Sequence, residues 1–412
     1  LRRFPAAATA GVGLSSAWHA VAATDAVTTS QHVPNPAGDM RLVADAGGAR
    51  RMGSEPGWAW APVDQRTKAG APHPCCPRDF LRRMTSRCRA AGLELRIGTE
   101  VEWFLASAPF PEGRPAHDGP AVGASVLVHL SDHIRSLVSA LEDQGLPVEA
   151  INAEYSNGQL ELALPPAPPV EAADAAVLTR LTIHSVSQRG GWRASFSPAF
   201  SGPMGNGGHL HLSVWRGEHN LLSGGEAAAG MHGEGEAFLA GILGHLPELT
   251  AIGAPSPASY IRLQPSRWAG AYRCWGIENR EAAMRFVMAE TEAQRDAANV
   301  EVKCFDEAAN PYLVLGAIAA AGLDGVERRL RLPPPYQGDP GLEAAGALGR
   351  LGVDLLPRSL DEAMAKMRTS QLLVECMGPA LHGSFLDVRE CEAEAFRHAE
   401  EAAIVDAYRW RF

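Results

Sequence analysis

The sequence has no long hydrophobic run, no excess of positive charge and no organised set of cysteines. It contains 37 Lys and Arg against 47 Asp and Glu, a formal net charge of −10 over 412 residues. A nucleic-acid-binding protein needs a basic surface to displace counterions from phosphate, so this balance argues against that class. No apolar run reaches the roughly 20 residues that span a bilayer, so no membrane partner is expected.

The seven cysteines are odd in number and scattered, and no two form a Cys-x-x-Cys pair. They indicate neither a disulfide framework nor a thiolate zinc site, and a reducing cytoplasm is the simpler location. Near the start, Arg2 and Arg3 precede an apolar stretch that superficially resembles an export signal. Pro5 and Trp18 are among the residues that interrupt it, so we expect no signal.

The length suffices for one large and one small domain, and 46% hydrophobic content is ordinary for a globular protein. Prolines within residues 72–77 predict a linker between a small domain, residues 1–73, and a large one, residues 74–412. Helices are predicted from Asp79 to a stop at Gly92 and near residues 131–144, 171–188, 233–246, 310–328 and 388–407. Strands are predicted near residues 40–44, 93–101, 159–164, 209–215 and 299–305. The proline-rich residues 165–169 predict a stiff connector. Because strands and helices are interspersed, the large domain is expected to be α+β or α/β.

Four strand-like segments carry ionisable residues where a buried strand should be apolar. Residues two apart on a strand share a face, so Glu100 and Glu102 should point to one side with Cα atoms about 6.6–7 Å apart. The same spacing recurs at His209 and His211. The other ionisable members of the four segments are Glu154, Glu161, Glu301 and Lys303.

Clustered carboxylates inside an apolar sheet are costly unless a cation neutralises them. Five carboxylates with one or two imidazoles and no thiolate favour Mg²⁺ or Mn²⁺ over zinc. Any single pair is equally compatible with a solvated strand face, and an isolated histidine pair is more often structural. The recurrence in four segments therefore predicts a metal site.

A basic set accompanies the acidic one within residues 259–286, in a stretch rich in Pro, Gly and Trp. Its members are Arg262, Arg267, Arg273, Arg280 and Arg285. The planar guanidinium group of arginine suits phosphate and carboxylate oxygens. Arginine together with Mg²⁺ commonly stabilises a transferring phosphoryl group. For Arg267 and Arg273, surface salt bridges are a reasonable alternative. The glycine-rich loop at residues 202–208 is a weaker sign of a ligand approaching the backbone.

Together these motifs resemble the glutamine synthetase family in residues and in order, along nearly the whole chain. The matching segments are Gly98-x-Glu100-x-Glu102, Glu154 with Gly158-Gln159-x-Glu161, Asn206-Gly207 with His209-x-His211-x-Ser213, Ser259-Tyr260-x-Arg262-Leu263-x-Pro265, Asn279-Arg280-Glu281-Ala282-Ala283-Met284-Arg285, and Glu301 with Asp306 and Asn310-Pro311. The resemblance implies an α+β fold of the glutamine synthetase type. In that fold a partial N-terminal β-grasp domain joins a catalytic domain with a curved antiparallel sheet flanked by helices.

The resemblance also implies roles for individual residues. The ligands of one cation would be Glu102, Glu154 and Glu161. The ligands of a second would be Glu100, His209 and Glu301. Glutamate would be held by Asn206, Gly207 and Arg262, and the nucleotide would lie near His211 and Ser213. Arg280 and Arg285 would contact the phosphates and act in catalysis with Arg262.

The implied reaction has two steps and needs ATP, glutamate, an amine and two or more Mg²⁺ or Mn²⁺ ions. The γ-carboxylate of glutamate attacks the terminal phosphate of ATP, and an amine then displaces phosphate from γ-glutamyl phosphate. The family also implies a homo-oligomeric ring with active sites between subunits. Gly38-Asp39-Met40 resembles the segment that places an aspartate near the amine site of a neighbouring subunit.

Departures from the family pattern bear on the amine. Trp268 stands where ammonia-using members have a glutamate that takes a proton from ammonium, and Asn299 and Lys303 stand where two arginines are usual. Tryptophan cannot accept a proton, but its face can hold an organic cation. An organic amine is therefore predicted, with Trp268 in its binding site. The alternatives are a packing role for Trp268 in an ammonia-using enzyme, and a non-catalytic relative with an incomplete small domain, since the sequence begins at Leu1.

Overall fold

The computed structural model describes residues 9–33, 37–108, 113–201, 205–289, 291–344 and 346–412. Arg2, Arg3 and Pro5 and part of the predicted glycine-rich loop, residues 202–204, lie outside this range. Among the described residues, none of the helices combines the length and apolarity that crossing a membrane takes.

In the described ranges the strands, numbered along the chain, are β1 Val12–Ser15, β2 Asp39–Ala44, β3 Arg50–Arg51, β4 Ala59–Trp60, β5 Val63–Arg66, β6 Glu94–Ser107, β7 Arg114–Pro115, β8 Ala150–Ala153, β9 Gln159–Ala167, β10 Trp192–Ser195, β11 Gly208–Arg216, β12 His219–Asn220, β13 Tyr272–Ile277, β14 Ala282–Val287, β15 Asn299–Val302 and β16 Asp354–Leu355. The helices are Pro77–Ala90, Ala124–His129, Ser131–Asp143, Pro169–Arg189, Gly233–Gly253, Ser259–Arg262, Pro311–Arg328, Ala347–Arg350, Leu360–Thr369, Gln371–Phe396 and Glu401–Tyr408.

The large sheet runs in the order β16-β13-β14-β15-β11-β6-β9-β8, with β7 and β10 paired to β6 and β12 paired to β11. The predicted antiparallel arrangement is confirmed for these pairs, with β13 and β14 as the parallel exception. Near the N-terminus, β1, β2 and β5 form a three-stranded antiparallel sheet, and β3 pairs with β4. The predicted strand at residues 40–44 is β2. The domain boundary at residues 73 and 74 stays a prediction.

One face of strand β6 is apolar, and it is buried along the whole strand in two hydrophobic cores. The preceding helix ends at Ala90, and Gly92 turns the chain with a φ of 75° that favours glycine. Leu95 and Ile97 enter a core shared with the helices Gly233–Gly253 and Pro311–Arg328. Val101, Trp103 and Leu105 enter a second core under the helices Ser131–Asp143 and Pro169–Arg189. The alternating residues, which include Glu100 and Glu102, therefore face the other side of the sheet.

Two expectations for the backbone were wrong. The proline-rich residues 165–169 are not a connector, because Pro165 and Pro166 belong to β9 and Pro169 opens the helix Pro169–Arg189. The fixed φ of proline suits the first helical position, so the same residues serve regular structure. The single helix predicted at residues 388–407 is instead broken between Phe396 and Glu401.

Two helices behind the sheet pack so closely that glycine is required where they meet. A Cβ atom at Gly241 would lie 2.2 Å from the carbonyl oxygen of Ala321, and one at Gly325 would lie 2.1 Å from that of Ala237. These approaches join the helix Gly233–Gly253 to the helix Pro311–Arg328. The pair supports the sheet on the side opposite the glutamates, so its spacing contributes to the position of β11 and β15.

We expect Gly241→Ala to lower the free energy of unfolding by about 1–3 kcal/mol, because the added methyl group forces the helices apart. Gly244→Ala is a matched control on the same helix, since a Cβ there meets nothing within 4 Å. It should stabilise the protein by up to about 1 kcal/mol through helix propensity. Urea unfolding measures both, and equal effects of the two variants would contradict the close-packing explanation.

Candidate active site

Strand register places the predicted ionisable residues in one row across the sheet. His209 of β11 lies opposite Glu100 of β6, and Glu161 of β9 lies opposite Glu102. On the other side, Glu301 of β15 lies opposite His211. The two-residue periodicity of each strand therefore turns these side chains toward the same face, as the sequence predicts.

The row contains two groups of three residues whose donor atoms lie within 4.8 Å of one another. One group is Glu100, His209 and Glu301, and the other is Glu102, Glu161 and His209. The first is the trio that the resemblance assigns to one cation. In the second, His209 stands where the resemblance expects Glu154, which among the described residues belongs to neither group but lines the same cavity. Carboxylate and imidazole donors without a thiolate fit Mg²⁺ or Mn²⁺.

The two groups differ in how their negative charge is offset. Burial raises the pKa of Glu161 to about 9, with repulsion from Glu100 and Glu102 adding to it. Burial likewise raises the pKa of Glu154 to about 7, with a contribution from Glu102. These carboxylates cannot all be ionised side by side without a positive charge between them. A divalent cation would supply that charge.

The opposite holds for Glu100 and Glu301. Burial by itself raises the pKa of both, but neighbouring cations outweigh it. Hydrogen bonds from His209 and His211 hold the pKa of Glu100 well below its usual range. Lys303, with its Nζ 3.0 Å from a Glu301 oxygen, is the main influence that lowers the pKa of Glu301 to about 2. This half of the site is already compensated by the protein.

His211 and Ser213, predicted near the nucleotide, are engaged within the protein. The ring of His211 lies 3.1 Å from a Glu100 oxygen through Nε2 and 2.9 Å from Asn299 through Nδ1. Burial tends to lower the pKa of His211, but Glu100 reverses this and raises it to about 9. The Ser213 hydroxyl accepts a hydrogen bond of 2.8 Å from the Trp215 indole. Neither residue is among the described residues that line the cavity.

The predicted arginines lie around the carboxylates. Arg262 is buried, donates to the carbonyl oxygens of Lys303 and Phe305, and has Nη2 3.3 Å from Nε2 of His209. Arg285 has Nη1 3.1 Å from a Glu301 oxygen. Both line the cavity, as does Arg280. Arg273 instead pairs with Asp354 at the exposed end of the sheet, which confirms the salt-bridge alternative for that residue.

Asn206 and Gly207 brace the loop that enters β11. The Asn206 amide donates to the carbonyl oxygens of Ser195 and Ser197, and Gly207 N–H donates to Glu102 at 2.7 Å. A Cβ at Gly207 would lie 2.5 Å from Nε2 of His209. Glycine is therefore needed for the loop to approach the carboxylate row. Neither residue is among the described residues lining the cavity.

A cavity of about 430 Å³ opens above the carboxylate row. Trp268 lies at its margin with 44% of its surface exposed, and its ring meets that of Tyr155 edge-on at a centroid distance of 5.3 Å. The guanidinium carbon of Arg280 lies 5.8 Å from the Trp268 ring centroid. An aromatic pair thus borders a cavity that is lined by both carboxylates and arginines.

Sequence reasoning missed two contributors to this cavity, Tyr155 and Gln159. Tyr155 follows Glu154 but shows no pattern of its own. Gln159 donates to both Glu102 and Asn206, and its only signal was its place in the Gly-Gln-x-Glu segment. Arg267, a member of the predicted basic set, also lines the cavity. A basic residue on an irregular loop carries no periodicity that would show where it points.

The glutamine synthetase catalytic-domain family matches residues 74–408 of the chain. The chain therefore belongs to the glutamine synthetase family. It is an ATP-dependent carbon–nitrogen ligase that joins an amine to the γ-carboxylate of glutamate.

The relatives lie in the amine-ligase part of this family as well as among ordinary glutamine synthetases. The chain is 46% identical to gamma-glutamylpolyamine synthetase GlnA3 of Streptomyces coelicolor over 415 aligned residues, covering 100% of this chain and 89% of that protein. A solved structure of a novel glutamine synthase homolog is 28% identical with a TM-score of 0.87, covering 100% of this chain and 93% of the other. A GmaS/ADP complex is 26% identical with a TM-score of 0.81, covering 97% and 90%. The predicted fold class and family are confirmed.

We expect Glu161→Gln to lower kcat at least about 100-fold, because a carboxylate facing the cavity is lost while its shape is kept. In chelator near pH 8 the variant should be at least as heat-stable as the wild type, since glutamine is spared the proton uptake on folding that the raised pKa of Glu161 imposes. Steady-state phosphate release and thermal unfolding measure the two effects. Wild-type turnover, or a Tm markedly below wild type, would contradict the assignment.

The raised pKa of Glu161 predicts a pH dependence of stability. Without a cation, Glu161 of the folded protein keeps its proton up to about pH 9, whereas in the unfolded chain it loses that proton near pH 4.5. Stability should therefore fall as the pH rises from about 4.5 to about 9. Cation binding needs the ionised carboxylate, so saturating Mg²⁺ should raise Tm by at least about 3 °C more at pH 8.5 than at pH 6. In Glu161→Gln this difference should shrink. An equal Mg²⁺ effect at both pH values would count against the site.

Proposed function

We propose that the amine substrate is an organic polyamine rather than ammonia. The observation that carries this proposal is the aromatic pair of Trp268 and Tyr155 at the margin of the cavity above the carboxylate row. Aromatic faces attract cationic nitrogen, and aromatic edges pack against methylene chains. Ammonia has no methylene chain and gains little from such a surface.

Two further observations support a multiply charged amine. The cavity is lined by five carboxylates, on Glu100, Glu102, Glu154, Glu161 and Glu301, which offer acceptors for the ammonium groups of an amine. The Streptomyces coelicolor relative at 46% identity is named a gamma-glutamylpolyamine synthetase. Trp268 supplies no proton acceptor, so an enzyme built around ammonium would lack the carboxylate expected there.

We assign the residues of the row as follows. Glu102, Glu154 and Glu161 would hold one cation, with Glu100, His209 and Glu301 around the second. Bound there, Mg²⁺ or Mn²⁺ would neutralise the carboxylates and the phosphates of ATP. Arg262 lies beside His209, where it would orient the glutamate together with Asn206 and Gly207. Arg280 and Arg285 border the cavity from the strand β14 side, where their guanidinium groups would stabilise charge on the transferring phosphoryl group.

His211 and Ser213 fit a supporting role at the nucleotide end of the row. His211 holds Glu100 through Nε2 and is itself held by Asn299. It would therefore fix the orientation of a cation ligand next to the nucleotide rather than meet the base directly. Ser213, which is two residues further along β11, would lie at the same end of the row.

We also propose the small N-terminal domain, residues 1–73, as a contact between subunits of a homo-oligomeric ring. Val12, Trp18 and Trp58 are exposed by 56%, 59% and 69%, so apolar side chains of this region are available for a contact with another subunit. Asp39 begins β2 on this domain, where it would approach the site of a neighbouring subunit.

All seven cysteines are free thiols, which suits a reducing compartment such as the cytoplasm.

The test is ATP-dependent phosphate release with glutamate and Mg²⁺ in the presence of putrescine, spermine, ethanolamine, a monoalkylamine or ammonia. The largest kcat/KM is expected with a polyamine. Preference for ammonia would identify an ordinary glutamine synthetase. Silence with every amine from a folded protein would favour a non-catalytic role.

Trp268→Ala should raise KM for the best organic amine about 10-fold, because the aromatic contact is removed. KM for glutamate and for ATP should change by less than about 2-fold, since Trp268 lies at the cavity margin. Trp268→Phe is the matched control and should keep most of the amine affinity. Unchanged amine KM in Trp268→Ala would show that the ring only packs against Tyr155.

A further inference from the structure

Glu281 is a buried carboxylate outside the cavity that holds the loop carrying Trp268. Glu281 is only 5% exposed, and it is not among the described residues that line the cavity. Oε1 accepts a hydrogen bond of 2.8 Å from the backbone N–H of Trp268. The backbone of Ser266 also hydrogen-bonds to this carboxylate. One side chain thus reaches two alternate residues of the loop.

The loop needs such an anchor because its backbone is strained. Ser266 and Trp268 have φ values of 57° and 55°, in the left-handed region that non-glycine residues seldom adopt. Each is unfavourable for a residue with a side chain, so both persist only where surrounding contacts impose them. The backbone N–H groups of Ser266 and Trp268 both reach the Glu281 carboxylate, in the way that the N–H groups of a turn surround an anion.

Glu281 is in turn fixed by its own neighbours. Its N–H donates to Asn279 at 3.0 Å, and the Asn279 amide donates to the carbonyl oxygens of Tyr336 and Gly338. The loop is tied at its far end as well, because a Cβ at Gly270 would lie 2.9 Å from Cα of Ala283. The carboxylate therefore connects a rigid turn to a loop that has little freedom of its own.

The arrangement is costly in other respects, which argues that it serves a purpose. Burial raises the pKa of Glu281, and its Oε2 has no hydrogen-bond partner among the described atoms. A buried polar atom without a partner lowers stability, because its desolvation is not offset by a hydrogen bond. A carboxylate used only for packing would be replaced at a gain in stability by an apolar residue of similar shape.

The position of the Trp268 ring is what this anchoring determines. The ring meets Tyr155 across the margin of the cavity, and Arg280, next to Glu281 in sequence, lies 5.8 Å from its centroid. A change of a left-handed φ toward the ordinary region would swing the ring away from Tyr155. The surface proposed for the amine would then be lost while the carboxylate row stayed in place.

We propose that Glu281 is a positioning residue for amine selectivity, which acts by holding Ser266 and Trp268 in left-handed conformations without touching the substrate. This rests on the proposed function, in which Trp268 contacts the amine. Glu281 therefore belongs to the amine half of the site, although it lies outside the cavity.

The test is a double-mutant cycle of Glu281→Ala and Trp268→Ala, with Glu281→Gln as the conservative variant. Glu281→Ala should raise KM for the preferred amine about 10-fold and leave KM for glutamate and ATP within about 2-fold. Glu281→Gln keeps an oxygen acceptor for the Trp268 N–H and should restore most of the amine affinity. In the double variant, amine KM should be no higher than in Trp268→Ala alone, because both changes remove one contact.

The possible failures are distinguishable. If Trp268→Ala leaves amine KM unchanged, the proposed amine contact is wrong. If Trp268→Ala raises it but Glu281→Ala does not, or if the two effects multiply in the double variant, the positioning role is wrong. A parallel rise of all three KM values in both Glu281 variants would show a structural role only and would also overturn the proposal.

Discussion

Repulsion among glutamates held on one face of a sheet is the constraint on which the active site depends. The register of β9, β6, β11 and β15 brings the carboxylates together although their negative charges repel one another. The protein compensates one end of the row with Lys303, His209 and His211, which keep Glu301 and Glu100 ionised. The other end is left with raised pKa values at Glu154 and Glu161. One end of the row is therefore already neutralised by the protein, whereas a bound cation would stabilise the other end.

Much of the carboxylate row could be predicted from the sequence because it depends on local spacing. Two-residue spacing is a local property, so Glu100 and Glu102 must share a face once β6 forms. The fold class followed from the order of the motifs. Register is not local, however, and nothing in the sequence states that Gln159 joins Glu102 to Asn206 or that His209 stands between both carboxylate groups. Proline at 165–169 was misinterpreted because its restricted φ is as compatible with a strand end and a helix start as with a linker.

The side of the site that is proposed for the amine was less accessible to sequence reasoning. Trp268 attracted attention because of the residue it replaces, but its orientation depends on two left-handed φ values at non-glycine positions. Such conformations have no sequence signal when glycine is absent, because the imposing contact comes from elsewhere in the chain. Here that contact comes from Glu281, thirteen residues along, whose charge in a sequence suggests only a solvated surface. Irregular loops at a site are thus determined by tertiary contacts that local patterns cannot show.

The position of Arg280 narrows how an amine can use this surface. With its guanidinium carbon 5.8 Å from the Trp268 centroid, Arg280 already supplies a cation to that ring, and a second cation stacked beside it would be repelled. An amine that reacts at one end therefore gains more by packing methylene groups on the edges of Trp268 and Tyr155. Its remaining charge would then lie toward the carboxylates and away from Arg280. A polyamine meets both requirements, because its charges are separated by apolar chain, whereas ammonia meets neither.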